Sequence, residues 1–74
     1  MENQHRKITG YRDLTQEEID LVNDIKDVGG TLATLVSTLR ANPNLDQRWV
    51  SIGATDLQTG LMALTRAVTR PTSF

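Results

Sequence analysis

Apolar residues recur along this chain in two runs, in which spacings of four and three residues alternate. The first run extends from Leu21 to Leu39, and the second from Val50 to Val68. This spacing places side chains on one face of an α-helix. The runs consist of Leu21, Ile25, Val28, Leu32, Leu35 and Leu39, and of Val50, Ala54, Leu57, Leu61, Leu64 and Val68. We therefore predict an all-α protein in which two helices pack along these seams.

Local signals indicate where each helix begins and ends. Thr15 and Glu18 have the spacing of a capping box, in which each side chain satisfies a free backbone N–H group. Asn42-Pro43-Asn44 is a turn signal, because the residue before proline avoids the helical region. Asp46 is a suitable cap for the second helix, and Pro71 ends it. We predict one domain over 1–74, an antiparallel helical hairpin with an arm over 1–13, helix one over 15–41 and helix two over 46–70.

The chain is small for a self-sufficient core. It has 74 residues and no Cys, whereas a chain of this size buries only about 60% of its unfolded surface. Small proteins without disulfides or metals often associate. Helix two also carries a second stripe of mostly small residues, namely Trp49, Gly53, Gly60, Ala63 and Ala67. We predict a homo-oligomer in which one apolar seam faces another subunit, and we expect Trp49 to be a packing anchor.

The charge balance excludes some classes of partner. The net charge of -1 argues against a protein that binds DNA or RNA polymers, since such proteins carry a basic excess. No run approaches the roughly 18 apolar residues of a membrane span. The N-terminus has no apolar signal core. We expect a soluble intracellular protein with no membrane partner.

Catalysis finds little support in the sequence. The single His5 lies in the predicted arm, and Ser37 and Ser51 have no evident base or orienting partner. The carboxylates early in helix one are typical of a helix N-terminus. No spacing of a loop metal site is present. The sequence predicts no catalytic residues, no metal site and no cofactor.

Binding of a small anionic ligand is better supported. Tyr11 could stack on a base, a contact worth roughly 1–3 kcal/mol in nucleic-acid complexes. Arg12 and Lys26 could hold its phosphate. The alternatives are that Tyr11 covers the end of the hairpin, that Arg12 pairs with Asp13 or Glu17, and that Lys26 extends into solvent. The ligand hypothesis and these alternatives both remain open on the residues alone.

Helix two offers a further cation. Arg66 shares a face with Thr59, Met62 and Thr69, and an Arg flanked by hydroxyls suits a phosphate. The alternative is a solvated helix end, where positive charge complements the helix dipole. For Arg70 we favour that alternative, and for Arg66 both interpretations remain.

Several motifs follow one another along the chain, and their order and spacing are specific although no single one is. They are Gly10-Tyr11-Arg12, the helix from Ile19 to Lys26, Arg48-Trp49, the stretch from Ile52 to Gly60, and the ending from Met62 to Pro71 with Phe74. Together these motifs resemble the phage anti-CBASS cyclic-nucleotide sponge family. The resemblance covers nearly the whole chain, and residues 1–8 and 41–45 contribute least to it.

The resemblance implies a function that the residues alone do not. Members of this family form compact hexamers that sequester cyclic oligonucleotide second messengers without cleaving them, and so block bacterial CBASS immunity in the cytoplasm of the infected host. A Tyr and a Lys hold a cyclic dinucleotide such as cGAMP at a subunit interface, and Tyr11 and Lys26 match them. The family is also attributed a separate pocket for cyclic trinucleotides, where we place Arg66. The alternative function is a small helical protein-interaction adaptor without a nucleotide ligand.

Overall fold

The protein folds into two antiparallel helices, as predicted. The computed structural model describes residues 13–71. Helix α1 spans Gln16–Arg40 and helix α2 spans Gln47–Thr69, and they pack against each other. Apart from Asp13, the predicted arm lies outside the described residues. Neither helix within residues 13–71 is long and apolar enough to cross a membrane.

The start of α1 is fixed by the capping box predicted from the sequence. The Thr15 hydroxyl oxygen accepts a hydrogen bond from the Glu18 N–H at 3.2 Å. In return, Glu18 Oε1 accepts one from the Thr15 N–H at 2.8 Å. These bonds satisfy two N–H groups that have no carbonyl partner within the helix. They also hold Thr15 in an extended conformation, with φ -73° and ψ 165°.

The turn between the helices is held by side-chain amides. Asn42 Oδ1 accepts a hydrogen bond from the Asn44 N–H at 3.0 Å, and the Asn42 carbonyl accepts one from the Leu45 N–H at 3.2 Å. Gln47 Nε2 donates to the carbonyls of Leu39 and Asn42 at 3.1 and 3.0 Å. Gln47 thus ties the start of α2 both to the last turn of α1 and to the connecting turn.

Helix α2 has a predicted cap at its start and an unusual residue at its end. Asp46 Oδ1 accepts from the N–H groups of Arg48 and Trp49 at 3.1 and 3.3 Å, as expected of an N-cap. At the other end, Arg70 has φ 43° and ψ 62°, in the left-handed region. Its N–H donates to the Arg66 carbonyl at 2.8 Å. Glycine is usual at such a position, since a Cβ is disfavoured there.

The predicted seam of α1 was wrong in half of its members. Leu21, Val28 and Leu35 are 44%, 53% and 50% exposed. The row one residue further along, to which Gly29 belongs, faces α2 instead. A Cβ at position 29 would lie 3.4 Å from Leu61 Cδ1. The half-buried residues of α1 include Val22, Ile25, Gly29, Leu32, Val36 and Leu39.

Helix α2 shows the same division. Val50, Ala54, Leu61 and Val68 are half-buried against α1, as predicted, and Thr65 lies among them. Two other predicted seam residues, Leu57 and Leu64, are 38% and 56% exposed. Trp49, the expected packing anchor, is 61% exposed and so does not anchor the hairpin's own seam. No residue in 13–71 is fully buried, because two helices alone cannot enclose one.

Candidate functional site

Three cross-helix contacts define how α1 and α2 are aligned. Glu18 meets Arg70, position 29 meets Leu61, and Arg40 meets Ser51. Lys26 lies three residues before position 29, about 4.5 Å along α1 at 1.5 Å per residue. Arg66 lies five residues beyond Leu61, about 7.5 Å in the same direction because the helices are antiparallel. Lys26 and Arg66 therefore lie at nearly the same height, about 3 Å apart along the hairpin axis.

Both cations also lie on the same side of the hairpin. The hydrogen bond from Arg40 Nη1 to Ser51 Oγ, 3.3 Å long, marks that side. From Arg40, residues seven positions apart lie on this side of α1. From Ser51, residues seven or four positions apart lie on this side of α2. These residues are exposed. The cationic face, as we call it, comprises Lys26, Ala33, Arg40, Ser51, Gln58, Met62 and Arg66.

The charges of Lys26 and Arg66 are not neutralised by neighbours on their own helices. Neither residue has Asp or Glu three or four positions away, the spacing at which helical side chains meet. Within residues 13–71, neither side chain makes a hydrogen bond or an ion pair. The acidic residues Asp20, Asp24 and Asp27 recur on the outer side of α1, away from α2. The cationic face therefore keeps its positive charge.

A groove of about 290 Å³ adjoins the cationic face. Its walls expose polar and apolar surface in nearly equal measure, and Arg40 and Gln58 supply polar groups. The lining residues are Gly29, Leu32, Ala33, Val36, Arg40, Ala54, Leu57, Gln58 and Leu61. An apolar surface beside a guanidinium suits a base with its phosphate, or a side chain of a neighbouring subunit.

The opposite side of the hairpin is apolar. It carries the exposed leucines and valine that the sequence assigned to the helix–helix seam, together with small residues of α2. A Cβ at Gly53 or Gly60 would meet nothing within 4 Å in the single chain. The apolar face, as we call it, comprises Leu21, Val28, Leu35, Trp49, Gly53, Leu57, Gly60 and Leu64.

Among the described residues, the structure offers no catalytic or metal centre. No group of three His, Cys, Asp or Glu side chains in 13–71 is placed to hold a metal ion. The Ser51 hydroxyl accepts its hydrogen bond from Arg40, a guanidinium that cannot act as a general base. The arrangement can bind an anion, and it supplies no activated nucleophile.

The sequence-predicted site residues fall into two groups. Lys26 and Arg66 were assigned to separate pockets, yet they share one face of the hairpin. Tyr11 and Arg12 lie outside the described residues. Sequence reasoning missed Arg40, although its spacing of fourteen residues from Lys26 placed it on the same side of α1.

The pairing of Glu18 with Arg70 was also missed. Arg70 Nη2 lies 3.0 Å from Glu18 Oε2. The signal was available, since an antiparallel hairpin with a short turn must bring the start of the first helix to the end of the second.

Comparison with known proteins places this hairpin in a family. The model of the Acb2/Tad1 hairpin domain matches residues 3–69. The chain belongs to this family. A curated relative, Anti-CBASS protein 2 of Pseudomonas phage JBD67, is 36% identical over 105 aligned positions that cover 96% of this chain and 97% of the relative. The resemblance to an anti-CBASS family is thereby confirmed.

The alignment also shows a difference between this chain and the relative. Its 105 positions exceed the 74 residues of this chain. Some positions must therefore be residues of the relative that have no counterpart here.

Proposed function

We propose that this protein sequesters cyclic oligonucleotide second messengers without cleaving them, and so blocks bacterial CBASS immunity in the cytoplasm of the infected host. Membership of the Acb2/Tad1 hairpin family and the similarity to Anti-CBASS protein 2 support this proposal. The structural observation that carries it is the pair of unneutralised cations, Lys26 and Arg66, on one face of the hairpin.

Cyclic dinucleotides such as cGAMP are the first class of ligand. The ammonium group of Lys26 binds a phosphate, and Tyr11 stacks on a base while Arg12 adds a second cation. The exposed position of Lys26 supports this role, because its charge is available to a ligand. Each cyclic dinucleotide carries two phosphates, so a two-fold interface that presents each residue twice suits it.

Cyclic trinucleotides are the second class, and we assign Arg66 to them. Its guanidinium can bind a phosphate oxygen through two parallel N–H donors. Thr59, Met62 and Thr69 share its side of α2, and Thr59 and Thr69 add hydroxyl donors. Because Lys26 and Arg66 lie on one face, the two pockets require different neighbouring subunits or different parts of that face to remain separate.

The assembly is a homo-oligomer held through the apolar face, and the resemblance implies a hexamer. Three large apolar residues of α1 and three of α2 are exposed there, namely Leu21, Val28, Leu35, Trp49, Leu57 and Leu64. An exposed apolar surface of this kind is typical of an interaction site. The small residues Gly53 and Gly60 allow a second backbone to approach closely.

A titration of the full chain with 3′,3′-cGAMP tests the proposal. We expect Lys26→Ala to weaken binding by about 10- to 100-fold, since a charged hydrogen bond is worth roughly 1.5–3 kcal/mol. Tyr11→Ala should weaken it comparably through the lost stacking. Arg48→Ala removes the same charge from an exposed Arg whose guanidinium lies 5.8 Å from the Trp49 ring centroid, and it should bind normally. Normal binding by both Tyr11→Ala and Lys26→Ala would refute this site.

The second candidate is a protein-interaction adaptor that uses the apolar face. The same exposed residues favour it, since a partner protein could cover them as well as a second copy. An adaptor would be monomeric when purified, would bind no cyclic nucleotide, and would retain one specific host protein through Leu35 and Leu64. Sedimentation of the purified chain as an oligomer would argue against it.

A further inference from the structure

The groove between α1 and α2 extends from Gly29 toward the turn, away from Lys26 and Arg66, which do not line it. Along α1 it runs from Gly29 to Arg40, a length of about 17 Å at 1.5 Å per residue. Its volume is about 290 Å³, close to the lower end of the range of roughly 300–1,000 Å³ for small-molecule sites. A groove of this size holds one base and its sugar rather than a whole cyclic oligonucleotide.

The floor of the groove is apolar. Leu32, Val36 and Leu61 line it and are half-buried, so they lie deeper than the exposed polar residues that also line it. Ala33 and Ala54 contribute only a methyl group each, and space therefore remains above the floor. An apolar floor between two helices suits the flat face of a base, because covering it removes apolar surface from water.

Arg40 places a positive charge at one end of this floor. Its Nη1 donates to Ser51 Oγ at 3.3 Å, so the guanidinium crosses from α1 to α2. Ser51 is neutral, and no Asp or Glu lies three or four positions from Arg40 in the sequence. Within residues 13–71 Arg40 makes no ion pair. The remaining N–H donors of its guanidinium are therefore available to an anion such as phosphate.

Gln58 supplies a second polar group, and its amide has no partner in the part of the chain that the structure describes. The other two glutamines in 13–71 are engaged, since Gln16 donates to Asp20 and Gln47 to carbonyls near the turn. An amide presents a donor beside an acceptor, which is complementary to the N6 and N7 edge of adenine. Gln58 lies seven residues, about 10.5 Å, from Ser51 on the same side of α2. A nucleotide spans such a separation between its base edge and its phosphate.

We propose that this groove binds a single adenine nucleotide unit, with the base over the apolar floor, Gln58 at the edge of the base and Arg40 on the phosphate. The unit is either a free nucleotide or one member of an oligonucleotide, since both present the same base and phosphate. The inference does not rest on the proposed function, because neither Lys26 nor Arg66 belongs to this site.

Calorimetric titration of the full chain with 5′-AMP tests the proposal, and ribose 5-phosphate is the matched ligand without the base. AMP should bind about tenfold or more tightly than ribose 5-phosphate, which leaves the apolar floor in water. Arg40→Gln should weaken AMP binding by about 10- to 100-fold, since it removes a charged donor. Arg48→Gln makes the same change at an exposed Arg outside the groove and should bind AMP normally. Equal affinities for the two ligands, or an unchanged affinity of Arg40→Gln for AMP, would overturn the proposal.

Ala33→Leu separates the groove from its charge. A Leu side chain fills space above the floor, keeps every charge and suits a helix, so the unfolding midpoint should persist while AMP binding weakens about tenfold or more. Thr34→Leu is the matched control, because Thr34 is exposed on the outer side of α1 and does not line the groove. If both variants bound AMP as the unaltered chain does, the attraction would be one of surface charge and the proposal would be wrong.

Cyclic tri-AMP distinguishes the two sources of the nucleotide unit. If the groove holds one unit of a cyclic ligand, cyclic tri-AMP should displace AMP, and Arg40→Gln should weaken binding of both. If it holds free nucleotides, Arg40→Gln should weaken AMP binding alone. Binding of AMP by a chain that bound no cyclic nucleotide would refute the proposed function and support this site. Failure of the unaltered chain to bind AMP would overturn this site, whether or not cyclic nucleotides bind elsewhere.

Discussion

The two sides of this hairpin differ in how they relate to the packing between its helices. The apolar face consists of residues that look like core and yet are exposed, such as Leu35 and Leu64. The cationic face consists of residues that look like ordinary surface, such as Lys26 and Arg66, without acidic neighbours one turn away. We propose that the hairpin divides its surface, with the apolar face for assembly and the cationic face for the ligand. Substitutions on the cationic face should therefore weaken ligand binding and leave assembly intact.

Leu35→Glu should produce the largest effect. A charge left without a partner in an interface costs roughly 3–5 kcal/mol, so the subunit dissociation constant should rise by about 100-fold or more. Thr34→Glu is the matched control. Thr34 is the adjacent exposed residue on the outer side of α1, where its hydroxyl donates a hydrogen bond to the Gly30 carbonyl. Sedimentation velocity measures both variants. Equal assembly of the two would show that the apolar face is not the subunit interface.

Arg66→Ala should produce an effect of intermediate size, and the effect should be confined to ligand binding. We expect the affinity for a cyclic trinucleotide to fall by about 10- to 100-fold, since the lost group is a charged hydrogen-bond donor. The affinity for cGAMP should change little, and the oligomer should persist. Calorimetric titration with each ligand measures the difference. Parallel losses for both ligands would mean that the cationic face holds one pocket rather than two.

The smallest effect concerns two glycines, one near each face. A Cβ at Gly30 or Gly60 would meet nothing within 4 Å in the single chain, so Ala should stabilise either helix by up to about 1 kcal/mol. Gly60 lies on the apolar face, whereas Gly30 lies one turn beyond Lys26. Gly60→Ala should therefore weaken assembly while Gly30→Ala leaves it unchanged. Thermal unfolding and sedimentation at one protein concentration measure both outcomes, and identical assembly would remove Gly60 from the interface.

The parts of the fold that local chemistry determines could be predicted. Thr15, Glu18 and Asp46 act as caps through bonds that span only a few residues, and their spacing in the sequence was sufficient. Which row of α1 faces α2 could not be predicted from local chemistry. Rows beginning at Leu21 and Val22 both have the heptad period, and the spacing pattern took the row with the larger side chains. The row that contains Gly29 is the one that faces α2, and which row packs depends on both helices at once.

The candidate site could be predicted only residue by residue. Lys26 and Arg66 were each named as candidate phosphate-binding cations. Their nearly equal positions along the hairpin axis depend on how the two helices are aligned, which the sequence does not specify directly. Gln47 and Arg70 were missed as tertiary contacts for the same reason. Their partners, the Leu39 carbonyl and the Glu18 carboxylate, are adjacent only after the hairpin has closed.

The most direct test of sequestration is recovery of the ligand. The purified chain is saturated with 3′,3′-cGAMP, separated from free ligand, and heated, and the released nucleotide is then identified by chromatography. Tight binding followed by quantitative release of intact cGAMP is the predicted result. Release of a linear or hydrolysed product would contradict it and indicate an enzyme, and a well-folded oligomer that retained no cyclic di- or trinucleotide would contradict the nucleotide-binding function itself.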